Sequence, residues 1–288
     1  MNEPRGRKQR PARRGMYILP SLFTAGTIAA GFYAIVQSLQ GSPLEPHHFD
    51  NAALVIGLAI PFDGLDGRIA RMTNTASDFG RELDSLADVI TFGVAPSILA
   101  YTWGFRMLPP TMDPVLRHQL MQIGAVVCFL FLICGACRLA RFNTSADAQP
   151  KNPGRPDRKY FVGMPIPAAA GVIAACVHYF LGTPVFSGTV AIVWIVLIGL
   201  VGFLMVSTWR FWSGKEITLT GRHPFQLLVL IGAVVSVLLL FSQVLLFMIA
   251  MGYMFSGLLA RAAYSWSLRR RRTRKPDGTM SGPSAHKA

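Results

Sequence analysis

The stretch PFDGLDGRIARMTNTASDFGRELDSLAD, residues 61–88, places ionisable side chains between two apolar runs and decides how the chain folds. One run, 52–71, ends inside this stretch, and the next, 84–104, begins inside it. Each run has about 20 residues, the length that a helix needs to cross the hydrocarbon core of a bilayer. The short polar segment between them suits a tight turn, so the two helices are predicted to be antiparallel neighbours.

Apolar runs of similar length recur along the whole chain. Hydrophobic residues make up 52% of the 288 residues and charged residues 15%, which is too apolar for an ordinary soluble domain. The runs lie at 18–38, 52–71, 84–104, 119–139, 164–181, 187–207, 224–241 and 243–263. The last two nearly abut, which predicts a tight hairpin at about residue 242. We therefore expect an all-α integral membrane protein, a bundle of about eight transmembrane helices within residues 17–265.

The basic residues explain the net charge of +14. If the runs alternate across the membrane, all 28 Lys and Arg except Arg106 and Arg117 fall on one side. The positive-inside rule then predicts a multi-pass protein of the cell inner (plasma) membrane with both termini in the cytoplasm. The basic tails are residues 1–16 and 266–288, and the second is expected to be disordered. No nucleic-acid partner is expected, because no basic face is interleaved with exposed aromatic residues.

Four aspartates lie at helical spacings within the opening stretch. Asp63 and Asp66 are three residues apart, and Asp84 and Asp88 are four apart on the next helix, so each pair shares one helix face. In antiparallel neighbours the two pairs converge near the cytoplasmic end of the bundle, below the headgroups. An isolated Asp at the centre of a bilayer costs about 2.5–3.5 kcal/mol, so four without compensating charge cost on the order of 10 kcal/mol.

Two divalent cations would balance the charge of this acidic cluster. Oxygen ligands without a nearby His or Cys favour Mg²⁺ or Mn²⁺ over Zn²⁺, and Gly67 and Gly80 leave room for a ligand beside the carboxylates. Two metals held by carboxylates suit a phosphoryl-type displacement. The alternatives are that the aspartates cap helix ends, pair with Arg68, Arg71 and Arg81, or line the pathway of a divalent-cation transporter.

The pattern D-x-x-D-G-x-x-A-R-x8-G-x3-D-x3-D, which residues 63–88 match at every fixed position, resembles the signature of the CDP-alcohol phosphotransferase family. Segments 82–96, 138–143, 160–170 and 205–211 are similar to the branch of that family that uses serine. The resemblance implies transfer of the phosphatidyl group of CDP-diacylglycerol to the hydroxyl of L-serine, with release of CMP, by a homodimer among membrane lipids. The same chemistry with glycerol 3-phosphate or inositol is the close alternative.

The resemblance also implies roles for residues of the acidic stretch. Asp88 would accept the proton of the attacking hydroxyl, and Gly67, Arg71 and Ser77 match positions that contact the CDP moiety. Gly67 permits close backbone approach, and Arg71 offers two parallel hydrogen bonds to phosphate oxygens. The two metal ions would be held by Asp63, Asp66, Asp84 and Asp88.

Two arginines are candidates for binding serine or phosphate. A serine substrate needs a cationic partner for its carboxylate, and Arg138 and Arg141 lie three residues apart at the cytoplasmic end of the fourth predicted span. The alternative for both is that their side chains extend to the membrane interface without contacting substrate.

Overall fold

The structure is a computed structural model that describes residues 18–73, 78–144, 160–212, 232, 240–259 and 261. Its helices, in chain order, are α1 Ile18–Gln40, α2 His47–Thr73, α3 Asp78–Asp88, α4 Ala95–Tyr101, α5 Pro114–Thr144, α6 Ile166–Tyr179, α7 Gly188–Val206 and α8 Leu240–Leu259. Two π-helical segments, Val89–Val94 and Thr102–Arg106, follow α3 and α4 without a break. Two short strands are also described, β1 Tyr160–Val162 and β2 Arg210–Trp212.

Several described helices are long and apolar enough to cross a membrane. There are five, namely Leu22–Gln40, Phe79–Arg106, Pro114–Thr144, Gly188–Val206 and Leu240–Leu259. Helix α6 is shorter, with 14 residues, and α2 has 27 residues but carries polar and ionisable side chains near both ends. A helical fold with five candidate membrane spans among the described residues is therefore confirmed, whereas the count of eight spans is not. The run predicted at 224–241 and both basic tails lie almost wholly outside the described residues.

The hairpin predicted between the last two apolar runs does not lie at residue 242. Helix α8 begins at Leu240 and runs unbroken to Leu259, so Ser242 lies in its first described turn. Residues 233–251 contain neither Gly nor Pro, so the sequence offers no residue that would end a helix at this point. Residues 233–239, which precede α8, lie outside the described ranges, so a hairpin before Leu240 stays a prediction.

The two strands were not predicted. They pair in antiparallel register, with Phe161 opposite Phe211 at the centre. Each strand has only three residues, too few for an alternating pattern to stand out from the apolar sequence around it. Apart from this pair, the described part of the chain is helical, as expected.

One hydrophobic core lies between the helices. The most extensive pairings are α1 with α2, α5 with α7, and α2 with α6. Its largest fully buried side chains include Phe92, Leu99, Phe105, Phe131, Ile173 and Ile198. Burial of these apolar side chains holds the helices against one another.

A close contact fixes α1 against the helix that carries Asp84 and Asp88. A Cβ atom at Gly31 would lie 2.6 Å from Thr91 Oγ1, so only glycine allows the two backbones to come this near. The Thr91 hydroxyl donates a 2.8 Å hydrogen bond to the main-chain oxygen of Thr27 on α1. Thr91 follows Asp88 by three residues, and this bond therefore holds the end of α3 in place.

A buried polar network joins three helices at the end of the bundle remote from the acidic stretch. His178 Nδ1 lies 2.6 Å from Asp50 Oδ1, and His178 Nε2 lies 2.9 Å from Ser242 Oγ. The network links α6 with the start of α2 and the start of α8. Helix α8 then runs to the other end, where Gly257 contacts Phe211 of β2.

Candidate active site

The structure brings three of the four predicted aspartates together. Asp63 near the end of α2 and Asp84 on α3 both interact electrostatically with Asp88, and the Asp63 and Asp88 side chains are in hydrogen-bond contact. All three side chains are half-buried. The fourth, Asp66, lies in α2 one turn after Asp63, but its side chain is outside the described part of the structure. The contact between Asp63 and Asp88 agrees with the predicted convergence, whereas the turn at residues 74–77 lies outside the described ranges.

One oxygen of Asp88 is buried and accepts no hydrogen bond from the part of the chain that the structure describes. Its Oδ1 atom has no partner among the described residues. Buried carboxylate oxygens rarely lack a partner, so this atom fits a cation ligand. No group of three or more His, Cys, Asp or Glu side chains in the described ranges is placed to hold a metal ion. Because the Asp66 side chain lies outside those ranges, the metal site stays a prediction.

Both helices are irregular beside the acidic cluster. Helix α3 becomes π-helical at Val89, directly after Asp88, and such segments within α-helices often occur at functional sites. In α2, Pro61 lies two residues before Asp63 and cannot donate the main-chain hydrogen bond of a regular helix. The sequence analysis predicted neither irregularity as a feature of the site.

Arg138 lies next to the aspartates. Its side chain is half-buried on α5 and interacts electrostatically with Asp88, Tyr253 and Arg141. The Nε atom of Arg138 is buried and has no hydrogen-bond partner within the described segments. A buried donor of this kind needs an acceptor, and a substrate carboxylate or phosphate would supply one.

Tyr253 is a site residue that the sequence analysis missed. It lies on α8, and its ring packs against Phe211 of β2 with centroids 5.7 Å apart. Its interaction with Arg138 brings α8 to the acidic end of the bundle. In the sequence, Tyr253 is a tyrosine within an apolar run. That pattern does not indicate which helix its side chain contacts.

Arg141 contacts main-chain oxygen atoms. Nη1 donates to the Val206 carbonyl at 3.2 Å, and Nη2 donates to the Val162 carbonyl at 3.4 Å. These bonds tie the end of α7 to the end of β1. Gly163 follows with φ at +77°, where a side chain would be strained and would meet Ser207 O. Arg141 therefore holds the two chain segments that lie beside the site.

Asn143 connects α5 directly to the helix that carries Asp84. Its Nδ2 donates a 2.8 Å hydrogen bond to Ser85 Oγ, and that hydroxyl donates at 3.0 Å to the Arg81 carbonyl. The sequence analysis assigned no role to Asn143. Its contact with α3 depends on how the two helices pack, which residue spacing does not indicate.

The predicted CDP contacts fall where the structure gives no side-chain description. Gly67 and Arg71 lie in the last turns of α2, and the Arg71 side chain is outside the described part of the structure. Ser77 belongs to residues 74–77, outside the described ranges. Their roles therefore stay predictions.

Comparison with known proteins agrees with the family resemblance of the acidic stretch. The profile of the CDP-alcohol phosphatidyltransferase family matches residues 17–186, a range that contains the acidic cluster and Arg138 but not Tyr253. A relative from Helicobacter pylori (strain ATCC 700392 / 26695) is 38% identical over 207 residues, covering 70% of this chain and 75% of its own. It bears the name CDP-diacylglycerol--serine O-phosphatidyltransferase.

Two further relatives carry the same name. The protein from Saccharomyces cerevisiae (strain S288c) is 39% identical over 153 residues, which is 52% of this chain and 50% of its own. The protein from Bacillus subtilis (strain 168) is 37% identical over 154 residues, which is 54% of this chain and 72% of its own. The similarity thus extends across distantly related organisms.

Proposed function

The chain belongs to the CDP-alcohol phosphatidyltransferase family, and on this premise we propose that it transfers the phosphatidyl group of CDP-diacylglycerol to the hydroxyl of L-serine. The products are phosphatidylserine and CMP. The names of the relatives supply both substrates. The observation that carries the proposal is the convergence of Asp63, Asp84 and Asp88 around a buried carboxylate oxygen. We place this reaction at the cytoplasmic face of the inner membrane, where the positive-inside rule puts this end of the bundle.

Divalent cations are the proposed cofactor. Members of this family generally depend on a divalent metal, and we assign two Mg²⁺ or Mn²⁺ ions to Asp63, Asp66, Asp84 and Asp88. When bound, such ions neutralise the charge of the pyrophosphate and of the departing CMP. The unpartnered Oδ1 of Asp88 and the carboxylates beside it suit these ions, which prefer oxygen ligands.

Asp88 is the proposed general base. The serine oxygen forms a bond to the lipid-side phosphorus as the bond from that phosphorus to CMP breaks, and Asp88 takes the hydroxyl proton. A positioned carboxylate contributes to such a step only within hydrogen-bonding reach of the hydroxyl. The contact with Asp63, together with the Thr91 bond at the end of α3, keeps Asp88 in one place.

Arg138 is the proposed anion-binding residue of the acceptor pocket. Its buried Nε has no partner among the described side chains, and its guanidinium lies near Asp88, where the acceptor hydroxyl must be. Arg141 was expected to share this role, but its bonds to Val162 and Val206 favour the task of holding the adjacent main chain. Gly67, Arg71 and Ser77 keep their proposed contacts with CDP. A homodimer is proposed from the family resemblance.

An acceptor comparison tests the proposed reaction. Purified protein is given CDP-diacylglycerol with Mn²⁺ or Mg²⁺ and radiolabelled serine, glycerol 3-phosphate or inositol. We expect labelled lipid and CMP release with serine. Failure with serine and success with another alcohol would overturn the choice of acceptor. Uptake of Mn²⁺ into sealed vesicles without CMP release would instead support the transporter alternative.

A further inference from the structure

An apolar groove lies between α1 and α2 on the outside of the bundle. Its volume is about 300 Å³. The rim consists of Leu22, Leu58 and Phe62, which are 67%, 59% and 52% exposed, so the groove is open along its side. The floor includes Ala59, which is only 3% exposed. Small residues on the floor, such as Ala59, leave space between the two helices.

No side chain that lines the groove has an unsatisfied hydrogen-bonding group. Thr27 is the one lining residue with a hydroxyl, and its Oγ1 already donates to the Phe23 carbonyl at 3.2 Å. The other lining side chains are hydrocarbon, apart from the glycine Gly26. A ligand of this groove must therefore be a hydrocarbon, because a polar ligand would lose its hydrogen bonds to water without replacement.

One end of the groove is formed by the residue next to Asp63. Phe62 on its rim directly precedes Asp63, which contacts Asp88. From Phe62 to Val55 the groove follows α2 for roughly 10 Å at a rise of about 1.5 Å per residue. One leaflet contributes roughly 15 Å of hydrocarbon to a bilayer. The groove thus leads from the depth of the aspartates toward the middle of the membrane.

The width of the groove limits what it can hold. A volume of about 300 Å³ over roughly 10 Å gives a cross-section of roughly 30 Å². A helix with its side chains is about 10–12 Å across and is too wide for this space. A single extended hydrocarbon chain fits along this length, whereas a whole helix does not fit inside the groove.

We propose that this groove holds one acyl chain of the phosphatidyl donor, an inference that rests on the proposed function. A lipid whose pyrophosphate lies at the aspartates must direct its acyl chains into the hydrocarbon layer. The groove offers one of them a path that starts beside Asp63. Residues 22–30 of α1 are thereby part of the donor-binding site and contribute to its selectivity for chain length.

Gly26 provides the test, because an added side chain there enters the groove without a clash. A Cβ atom at Gly26 meets no atom within 4 Å. The matched control is Gly199 on α7, which is also exposed and whose added Cβ likewise meets nothing within 4 Å. The variants Gly26→Leu and Gly199→Leu thus make the same substitution inside and outside the groove.

We expect Gly26→Leu to raise the apparent KM for dioleoyl CDP-diacylglycerol about tenfold, because roughly two methylene groups of the acyl chain would lose their contacts with the groove. The KM for the dihexanoyl donor and the kcat for both donors should change little. Gly199→Leu should leave all four values near wild type. If Gly26→Leu does not fold, Gly26→Ala is measured in the same way, with a smaller shift of the same sign.

The outcomes separate this inference from the proposed function. Wild-type protein that forms no lipid from serine overturns the proposed function. Active wild-type protein with equal KM values for Gly26→Leu and wild type on the long-chain donor overturns the acyl groove alone. A Gly26→Leu variant that changes from dimer to monomer without a change in KM would also overturn it, since a protein surface would then occupy the groove.

Discussion

Replacing Asp88 by asparagine is expected to lower kcat for phosphatidylserine formation by roughly 10²- to 10⁴-fold, the contribution of a positioned general base. The amide has nearly the same volume and still offers an oxygen, so the helix packing and much of the metal binding should persist. It cannot accept the proton of the serine hydroxyl. Steady-state CMP release at saturating serine and donor measures the effect.

Asp113 provides a matched control for this variant. Its side chain is exposed in the segment before α5 and accepts a hydrogen bond from the Leu116 amide, remote from the acidic cluster. Asp113→Asn should therefore retain wild-type turnover. Full activity in Asp88→Asn would remove Asp88 from the role of base, whatever its part in metal binding.

Replacing Arg138 by lysine is expected to raise the KM for serine about 10- to 100-fold, the range for loss of a hydrogen bond to a charged group. Lysine keeps the positive charge but lacks the Nε donor and the planar geometry that binds a carboxylate through two bonds. The Nε atom of Arg138 is a buried donor without a partner among the described residues. The change in kcat should be smaller than the change in KM.

The same substitution at Arg141 separates anion binding from a structural role. Arg141 donates to the Val162 and Val206 carbonyls, so Arg141→Lys should lower the thermal unfolding temperature more than Arg138→Lys does. Its effect on the serine KM should be the smaller of the two. The reverse pattern, with a raised serine KM only in Arg141→Lys, would transfer the anion-binding role to Arg141.

The convergence of the aspartates could be predicted from the sequence because it depends on local regularities. Spacings of three and four residues fix a helix face, and a short turn makes successive helices antiparallel. These two rules predict that Asp63 lies near Asp88, and they require no knowledge of the remaining helices. The π-helical segment after Asp88, in which Thr91 packs against Gly31 of α1, is not indicated by any local pattern.

Contacts between distant segments account for most of what the sequence analysis missed. Tyr253 reaches Arg138 because α8 crosses the whole bundle, and the bonds of Arg141 depend on where β1 and α7 end. The described helix passes through residue 242, where a turn was predicted, because apolar runs alone do not indicate where one helix stops. The apolar runs predict where the helices lie along the chain. Tertiary packing decides which groups the long polar side chains contact.

Anomalous diffraction from crystals grown with Mn²⁺ and CDP tests the acidic cluster most directly. We predict two manganese peaks between α2 and α3, coordinated by carboxylate oxygens of the four aspartates, with one ion bound by Asp88 Oδ1. A map in which these carboxylates point away from one another, or in which manganese binds only elsewhere, would contradict the account.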